Sequence, residues 1–114
     1  MDERRRGDRI DACEIGLRVV NDIDQHELGI VGNLSQGGMM LITNRELFAN
    51  GILQLRLELP GQLDGGAISL GMKILWCSPA SSPDEYWVGL ETIDIAEADR
   101  ETLERLLDYL ADNG

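Results

Sequence analysis

The segment of residues 52–59 alternates apolar and polar side chains more regularly than any other part of the chain. A period of two places every second side chain on one face of a β-strand, so this segment is predicted to be a strand with one buried face. Pro60 and Gly61 follow directly and favour a turn. The apolar face consists of Leu53, Leu55, Leu57 and Leu59.

Five other short segments have the composition of half-buried strands, and turn-forming residues separate them. The period then changes after Ala96, where four leucines follow the i, i+3, i+4, i+7 spacing of an amphipathic helix. The pattern therefore predicts a mainly β fold, either a small antiparallel barrel or a sandwich, with a C-terminal helix. The additional strand segments are residues 13–19, 27–34, 39–43, 68–76 and 86–92, and the helix leucines are Leu103, Leu106, Leu107 and Leu110.

Length and charge restrict the function. The 114 residues suffice for one domain, which we expect to span residues 1–114. The formal net charge is −11, with 21 acidic against 10 basic residues, and such a surface repels nucleic acids and anionic lipids. The sequence contains neither a signal-peptide pattern nor a long apolar run, so we expect a cytoplasmic protein without membrane insertion.

Residues that could carry catalysis or bind a metal are few. Cys13 and Cys77 are the only cysteines and are interpreted as free thiols, because a zinc site needs more ligands at close spacing. His26 is the only histidine and lies in a polar connection, where a surface role is expected. We therefore expect no enzyme activity, no catalytic residues, no metal and no cofactor.

Four of the ten basic residues lie within the first nine positions of the chain. Arginine is permanently charged and planar and carries five N–H donors, so it can hold phosphate oxygens or a guanine edge, or stack on a purine. On an acidic protein such a cluster indicates a short-range site for a small anion. The four residues are Arg4, Arg5, Arg6 and Arg9.

Residues 33–38 form a second segment of interest, Asn-Leu-Ser-Gln-Gly-Gly. Such a segment often forms a hairpin turn in which Asn and Ser bond the backbone and glycines accept positive φ. The same groups also suit a purine, since Asn33 carries a donor and an acceptor, Ser35 carries a hydroxyl, and glycine permits close approach. Both interpretations remain open.

Taken together, the two segments resemble the PilZ domain family of bacterial cyclic-di-GMP receptors. Arg5 and Arg9 form R-x-x-x-R, and residues 33–38 form N-x-S-x-x-G; residues 74–76 and 87–90 are similar to late strands of that family. The resemblance implies a six-stranded antiparallel β-barrel at residues 11–93 and a C-terminal α-helix at 96–111. It also implies a flexible arginine-bearing segment at residues 1–10.

The resemblance also implies a ligand-binding role for each motif residue. Arg5 and Arg9 would bind phosphate and guanine, Asn33 and Ser35 would hydrogen-bond the other base, and Gly38 would let the ring lie flat. Asn33 stands where the family more often has aspartate.

Three further residues complete the implied site. Arg4 precedes the arginine motif, where the family associates arginine with an intercalated dimer of cyclic-di-GMP. Arg6 and Trp76 are possible additional contacts, although Trp76 equally suits a core position at the end of the barrel. The implied function is a receptor that changes its N-terminal surface on binding cyclic-di-GMP and acts in trans on an unidentified protein effector. The alternative is a PilZ-like protein-interaction module that binds no nucleotide.

Overall fold

The structure is a computed structural model that describes residues 9–63 and 65–113 of the chain. In that part of the chain, seven β-strands precede one α-helix, and a short 3-10 helix lies at Gly61–Leu63. The strands are β1 (Ile10–Asp11), β2 (Arg18–Asn21), β3 (Glu27–Ser35), β4 (Gly38–Thr43), β5 (Ile52–Glu58), β6 (Ala67–Pro79) and β7 (Tyr86–Asp94), and the helix is α1 (Glu97–Asn113).

Six of the strands close into an antiparallel barrel. The order around the barrel is β2, β5, β6, β7, β4 and β3, and β3 returns to pair with β2. The two-residue β1 adds to β3 outside this ring. Closure leaves none of the six strands as a free edge, and the predicted six-stranded barrel with a C-terminal helix is confirmed.

The alternating leucines of β5 point into the barrel, as the sequence predicts. Leu55 and Leu57 are fully buried, and Leu53 and Leu59 pack against the same core at its margins. Valine, leucine, isoleucine and methionine from the other strands fill the rest of the interior. The fully buried members of that set are Val19, Val31, Leu34, Met39, Leu41, Ile68, Leu70, Met72, Val88 and Leu90.

Helix α1 covers one end of the barrel with its leucine stripe. All four leucines of the stripe are buried in the same cluster as the barrel interior. The helix is also fixed from its polar side, since Asp99 Oδ2 accepts a hydrogen bond from the Ser69 amide at 3.4 Å and Glu104 Oε2 accepts one from Gln36 Nε2 at 3.1 Å. Within the described residues, no helix is long and apolar enough to cross a membrane.

The strand predicted at residues 13–19 is wrong over its first half. The carbonyl of Ala12 accepts hydrogen bonds from the amides of Ile15 (3.2 Å) and Gly16 (3.3 Å), which forms a turn. Gly16 has φ of +74°, in the left-handed region that glycine adopts without a steric penalty. Strand β2 begins only at Arg18, after Leu17 has entered the core.

The strand predicted at residues 68–76 is longer than expected. Strand β6 continues to Pro79, where it pairs with Tyr86, and Ser78 pairs with Trp87. The ladder contains an irregularity between Ile74 and Trp76, so the strand carries one extra residue there. The extra residue changes which side chains of β6 face outward beyond it.

Candidate functional site

The two predicted motifs contact each other through β1. Arg9 immediately precedes β1, in which Ile10 pairs with Leu34 and Asp11 pairs with Asn33. This register places the Arg9 side chain beside Asn33, and Arg9 Nη1 donates a hydrogen bond to Asn33 Oδ1 at 3.2 Å. Residues 24 positions apart in sequence therefore form one polar cluster on the outer surface of the barrel.

The contacts of the Arg9 guanidinium with the described residues use little of its binding capacity. Its side chain is exposed, and no carboxylate of the described residues lies within ion-pair distance of it. A guanidinium has five N–H donors, and the contact with Asn33 uses one of them. The nearby carboxylate of Asp11 accepts instead from the Cys13 amide at 3.0 Å. Arg9 can therefore bind an anion without releasing Asn33.

Ser35 closes the β3–β4 hairpin. It pairs with Gly38, and its Oγ donates a hydrogen bond to the Gly38 carbonyl at 3.3 Å. Only 6% of Ser35 is exposed, so its hydroxyl is largely shielded from solvent. Its proton is committed to the hairpin, and its oxygen keeps lone pairs that can accept a hydrogen bond. The backbone-bonding interpretation of Ser35 is therefore correct for the described structure.

Gly38 is required by the packing of β4 against β7. A Cβ at this position would overlap the carbonyl oxygen of Leu90 and lie 3.3 Å from its carbonyl carbon. Neither Gly37 nor Gly38 has a positive φ, so the conformational explanation for glycine does not apply here. Close approach of two backbones explains Gly38, whereas a Cβ added to Gly37 would meet no other atom within 4 Å.

A row of four outward-facing positions begins at Asn33 of this cluster and crosses the barrel wall. Asn33 pairs with Met40, Met40 with Gly89, and Gly89 with Trp76, so the row crosses β3, β4, β7 and β6. Trp76 is 43% exposed on the outer surface, and the alternative of a core residue is therefore wrong. Met40 and Gly89 were not among the predicted site residues, although the alternation within residues 39–43 and 86–92 already assigns them to the outward face.

Three of the predicted site residues lie outside the described residues. These are Arg4, Arg5 and Arg6, so the arginine motif is represented in the structure by Arg9 alone.

The other reactive side chains have ordinary surroundings. His26 is exposed, with Nδ1 at 3.5 Å from Asp24 Oδ2. Cys77 is half-buried against the core. The Cys13 thiol lies 3.5 Å from the Gly32 carbonyl, next to the Arg9–Asn33 contact. Partial burial and then the negative charge of Asp11 raise the pKa of Cys13 above its ordinary value, so this thiol is not an activated nucleophile.

Comparison with known structures agrees with this fold. One similar solved structure is that of MotI/DgrA, an inhibitor of motility from Bacillus subtilis, with 19% sequence identity and a TM-score of 0.71. The match covers 99% of this chain and 51% of that one. A second similar structure is that of MrkH from K. pneumonia in its apo state, with 16% sequence identity and a TM-score of 0.70. The match covers 86% of this chain and 47% of that one. The chain thus spans about half the length of these two proteins.

A third similar structure is a single domain. It is the PilZ domain of YcgR from Escherichia coli with c-di-GMP, which has 15% identity and a TM-score of 0.71 and covers 92% of this chain and 89% of that one. No curated protein matches the sequence. The family model described as "PilZ domain" matches residues 3–109, which is nearly the whole chain. This chain therefore belongs to the PilZ domain family.

Proposed function

We propose that this chain is a cytoplasmic, non-enzymatic bacterial receptor for cyclic-di-GMP that acts as an adaptor on a partner protein in trans. The observation that carries the proposal is the hydrogen bond between Arg9 and Asn33, because it joins the arginine motif to the N-x-S-x-x-G hairpin. Family membership and the fold shared with a c-di-GMP-bound PilZ domain support the same ligand.

Each group in the cluster suits one part of a guanine nucleotide. Arg9, together with Arg5, would bind phosphate oxygens or the O6/N7 edge of guanine with paired N–H donors. Asn33 would offer its amide to the other base. Ser35 would accept a hydrogen bond from a guanine N–H, since its own proton is donated to the Gly38 carbonyl. Gly38 would let the base lie against the hairpin, because the close approach of β4 to β7 that it permits leaves no side chain projecting at that position.

Further contacts would come from three residues. Arg4 would stack between bases if two ligand molecules bind as an intercalated dimer, and Arg6 would supply an additional positive charge. Trp76 would contact the ligand from the far end of the outward-facing row.

The proposed signal is a change of surface. A ligand bridging Arg5 and Arg9 to Asn33 would fix the residues before Arg9 against the barrel wall, whereas Arg9 and Ile10 already contact β3. Fixing that segment would change the surface that the N-terminal face of the domain presents to a partner protein. A surface change of this kind needs no rearrangement of the barrel.

Isothermal titration with cyclic-di-GMP tests the proposal. The parent protein should bind, and Arg9→Ala or Asn33→Ala should weaken binding by roughly 10- to 100-fold, the loss expected for a charge-assisted hydrogen bond. Arg45→Ala is the matched control, because Arg45 is exposed and lies beyond the far end of β4. A folded parent that releases no heat, or an Arg9→Ala variant that binds like the parent, contradicts the proposal.

A second candidate function is a protein-interaction module that binds no nucleotide. The structural roles of Ser35 and Gly38 favour it, because the hairpin needs both residues even without a ligand. Capture of the same partner with and without cyclic-di-GMP separates the two functions. A partner that is retained equally in both conditions supports the module, and nucleotide-dependent retention supports the receptor.

A further inference from the structure

Trp76 lies flat on the backbone of Gly89. The two residues are direct partners in the β6–β7 ladder. A Cβ added to Gly89 would overlap Nε1 and Cε2 of the indole and lie 2.9 Å from Cζ2. The ring therefore occupies the space that any side chain at position 89 would need. Gly89 itself is buried beneath the ring.

The indole is thereby directed toward the Arg9–Asn33 cluster. From Trp76, the ring extends across Gly89 on β7, and the next outward positions are Met40 on β4 and Asn33 on β3. Adjacent strands are about 4.8 Å apart, so roughly 10 Å separate Gly89 from Asn33. Met40 is half-buried between them. Trp76, Gly89 and Met40 thus form an apolar, partly aromatic surface. It ends at the Asn33 amide and the Arg9 guanidinium.

We infer that Gly89 is a positioning residue, which holds the Trp76 indole flat so that a base of the ligand can stack on it. This inference rests on the proposed nucleotide-binding function and adds the residue that orients the Trp76 indole. Without the glycine, the indole would have to swing away from β7, and it would no longer extend across Gly89 along the row that leads to Met40 and Asn33. Stacking of a base on an aromatic ring contributes about 1–3 kcal/mol, so the orientation of this ring matters for affinity.

The test compares cyclic-di-GMP affinity in four proteins: the parent, Trp76→Ala, Gly89→Ala and the double variant. Each single variant should bind roughly 5- to 100-fold more weakly, which is the stacking contribution expressed as a ratio. The double variant should bind no more weakly than Trp76→Ala, because Gly89 acts only through the indole. Gly71→Ala is the matched control, since Gly71 is a buried glycine of β6 whose added Cβ would lie 3.1 Å from Asp94 Cβ, away from the site.

Tryptophan fluorescence, measured without nucleotide, reports the exposure of the Trp76 ring directly. In a Trp87→Phe background, Trp76 is the only tryptophan, and acrylamide should quench its fluorescence more strongly after Gly89→Ala. Removing the indole also removes the overlap, so the double variant should melt at a higher temperature than Gly89→Ala alone. This comparison keeps the test informative even if Gly89→Ala folds poorly.

The outcomes separate the two proposals. If the parent binds and Gly89→Ala binds equally well, the role of Gly89 is wrong and the receptor function stands. An additional loss of affinity in the double variant, or unchanged quenching after Gly89→Ala, also overturns the role of Gly89. If the parent binds no cyclic-di-GMP, the receptor function fails and the stacking role fails with it, whatever the quenching shows.

Discussion

At the residue scale, the pair of Arg9 and Asn33 determines the electrostatics of the cluster. Asn33 is neutral, so its carbonyl oxygen accepts from Arg9 without cancelling the charge of the guanidinium. Hydrogen bonds to a charged acceptor are roughly twice as strong as bonds between neutral groups. The amide therefore leaves Arg9 available to an anion. In the proposed complex with cyclic-di-GMP, the bond from a guanine N–H to Asn33 would be weaker than one to a carboxylate.

Replacement of Asn33 by aspartate tests this balance. Asn33→Asp should tighten cyclic-di-GMP binding by roughly 3- to 10-fold, because a carboxylate accepts from the N1–H and N2 amine of guanine as an ionised partner. Titration calorimetry measures the change, with Asn44→Asp as a control for adding one negative charge outside the site. A weaker Asn33→Asp complex would mean that an ion pair between Arg9 and the new carboxylate withholds the guanidinium from the ligand.

Cys13 provides a test of the local charge next to the same cluster. The thiolate is the reactive form, and the raised pKa reduces the thiolate fraction at pH 8. In a Cys77→Ser background, iodoacetamide should label Cys13 slowly at pH 8, with a rate that increases as the pH rises past the ordinary pKa of cysteine. Asp11→Asn keeps an oxygen acceptor for the Cys13 amide and removes the charge, so labelling at pH 8 should become roughly 2- to 5-fold faster. An unchanged rate would assign the raised pKa of Cys13 to burial and to the negative charge of Glu14 instead of to the charge of Asp11.

At the element scale, helix α1 contributes its leucine stripe to the barrel core. Leu106 is fully buried in the cluster that also contains the barrel residues. Leu106→Ala should lower the free energy of unfolding by about 2–5 kcal/mol, from lost burial and the cavity that remains. Urea denaturation measures the loss, and Glu101→Ala, at an exposed position of the same helix, should change stability by less than about 0.5 kcal/mol. A small effect of Leu106→Ala would mean that the helix is not part of the cooperative unit.

The elements that the sequence predicted well are those in which one face is buried along the whole segment. The alternation at residues 52–59 and the leucine spacing of α1 each have a single periodic interpretation. Residues 13–17 were predicted wrongly because the alternation of Cys13, Ile15 and Leu17 also fits a turn that is held by the Ala12 carbonyl. Strand β1 has two residues and exists only through its pairing with β3, so no local pattern could indicate it.

The candidate site was predictable in its residue types and unpredictable in its geometry. The arginine motif and the Asn-x-Ser hairpin follow from the sequence, and the contact of Arg9 with Asn33 is known only from the structure. Their binding of a ligand stays a prediction. The neighbours Met40 and Gly89 depend on the strand register, which is fixed by barrel closure and by the extra residue near Trp76.

At the scale of the whole molecule, the net charge of −11 acts against the compact state. Like charges repel more strongly in the folded protein than in the expanded chain, and dissolved salt screens that repulsion. Part of the excess negative charge lies on the exposed face of α1, at Glu101 and Asp112. The folded protein is therefore expected to gain stability as ionic strength increases, opposite to a protein held together by surface ion pairs.

Thermal melting in increasing sodium chloride tests this expectation. Between about 10 mM and 0.5 M salt, the Debye length falls from about 30 Å to roughly 4 Å, so most of the repulsion across the domain is removed. We expect the melting temperature to rise by roughly 4 °C, equivalent to about 1 kcal/mol for a domain of this size. Glu101→Gln combined with Asp112→Asn removes two of the negative charges and should reduce the rise. A melting temperature that falls with salt would show that the ion pairs of Arg18 with Glu27 and Arg56 with Asp22 outweigh the net repulsion.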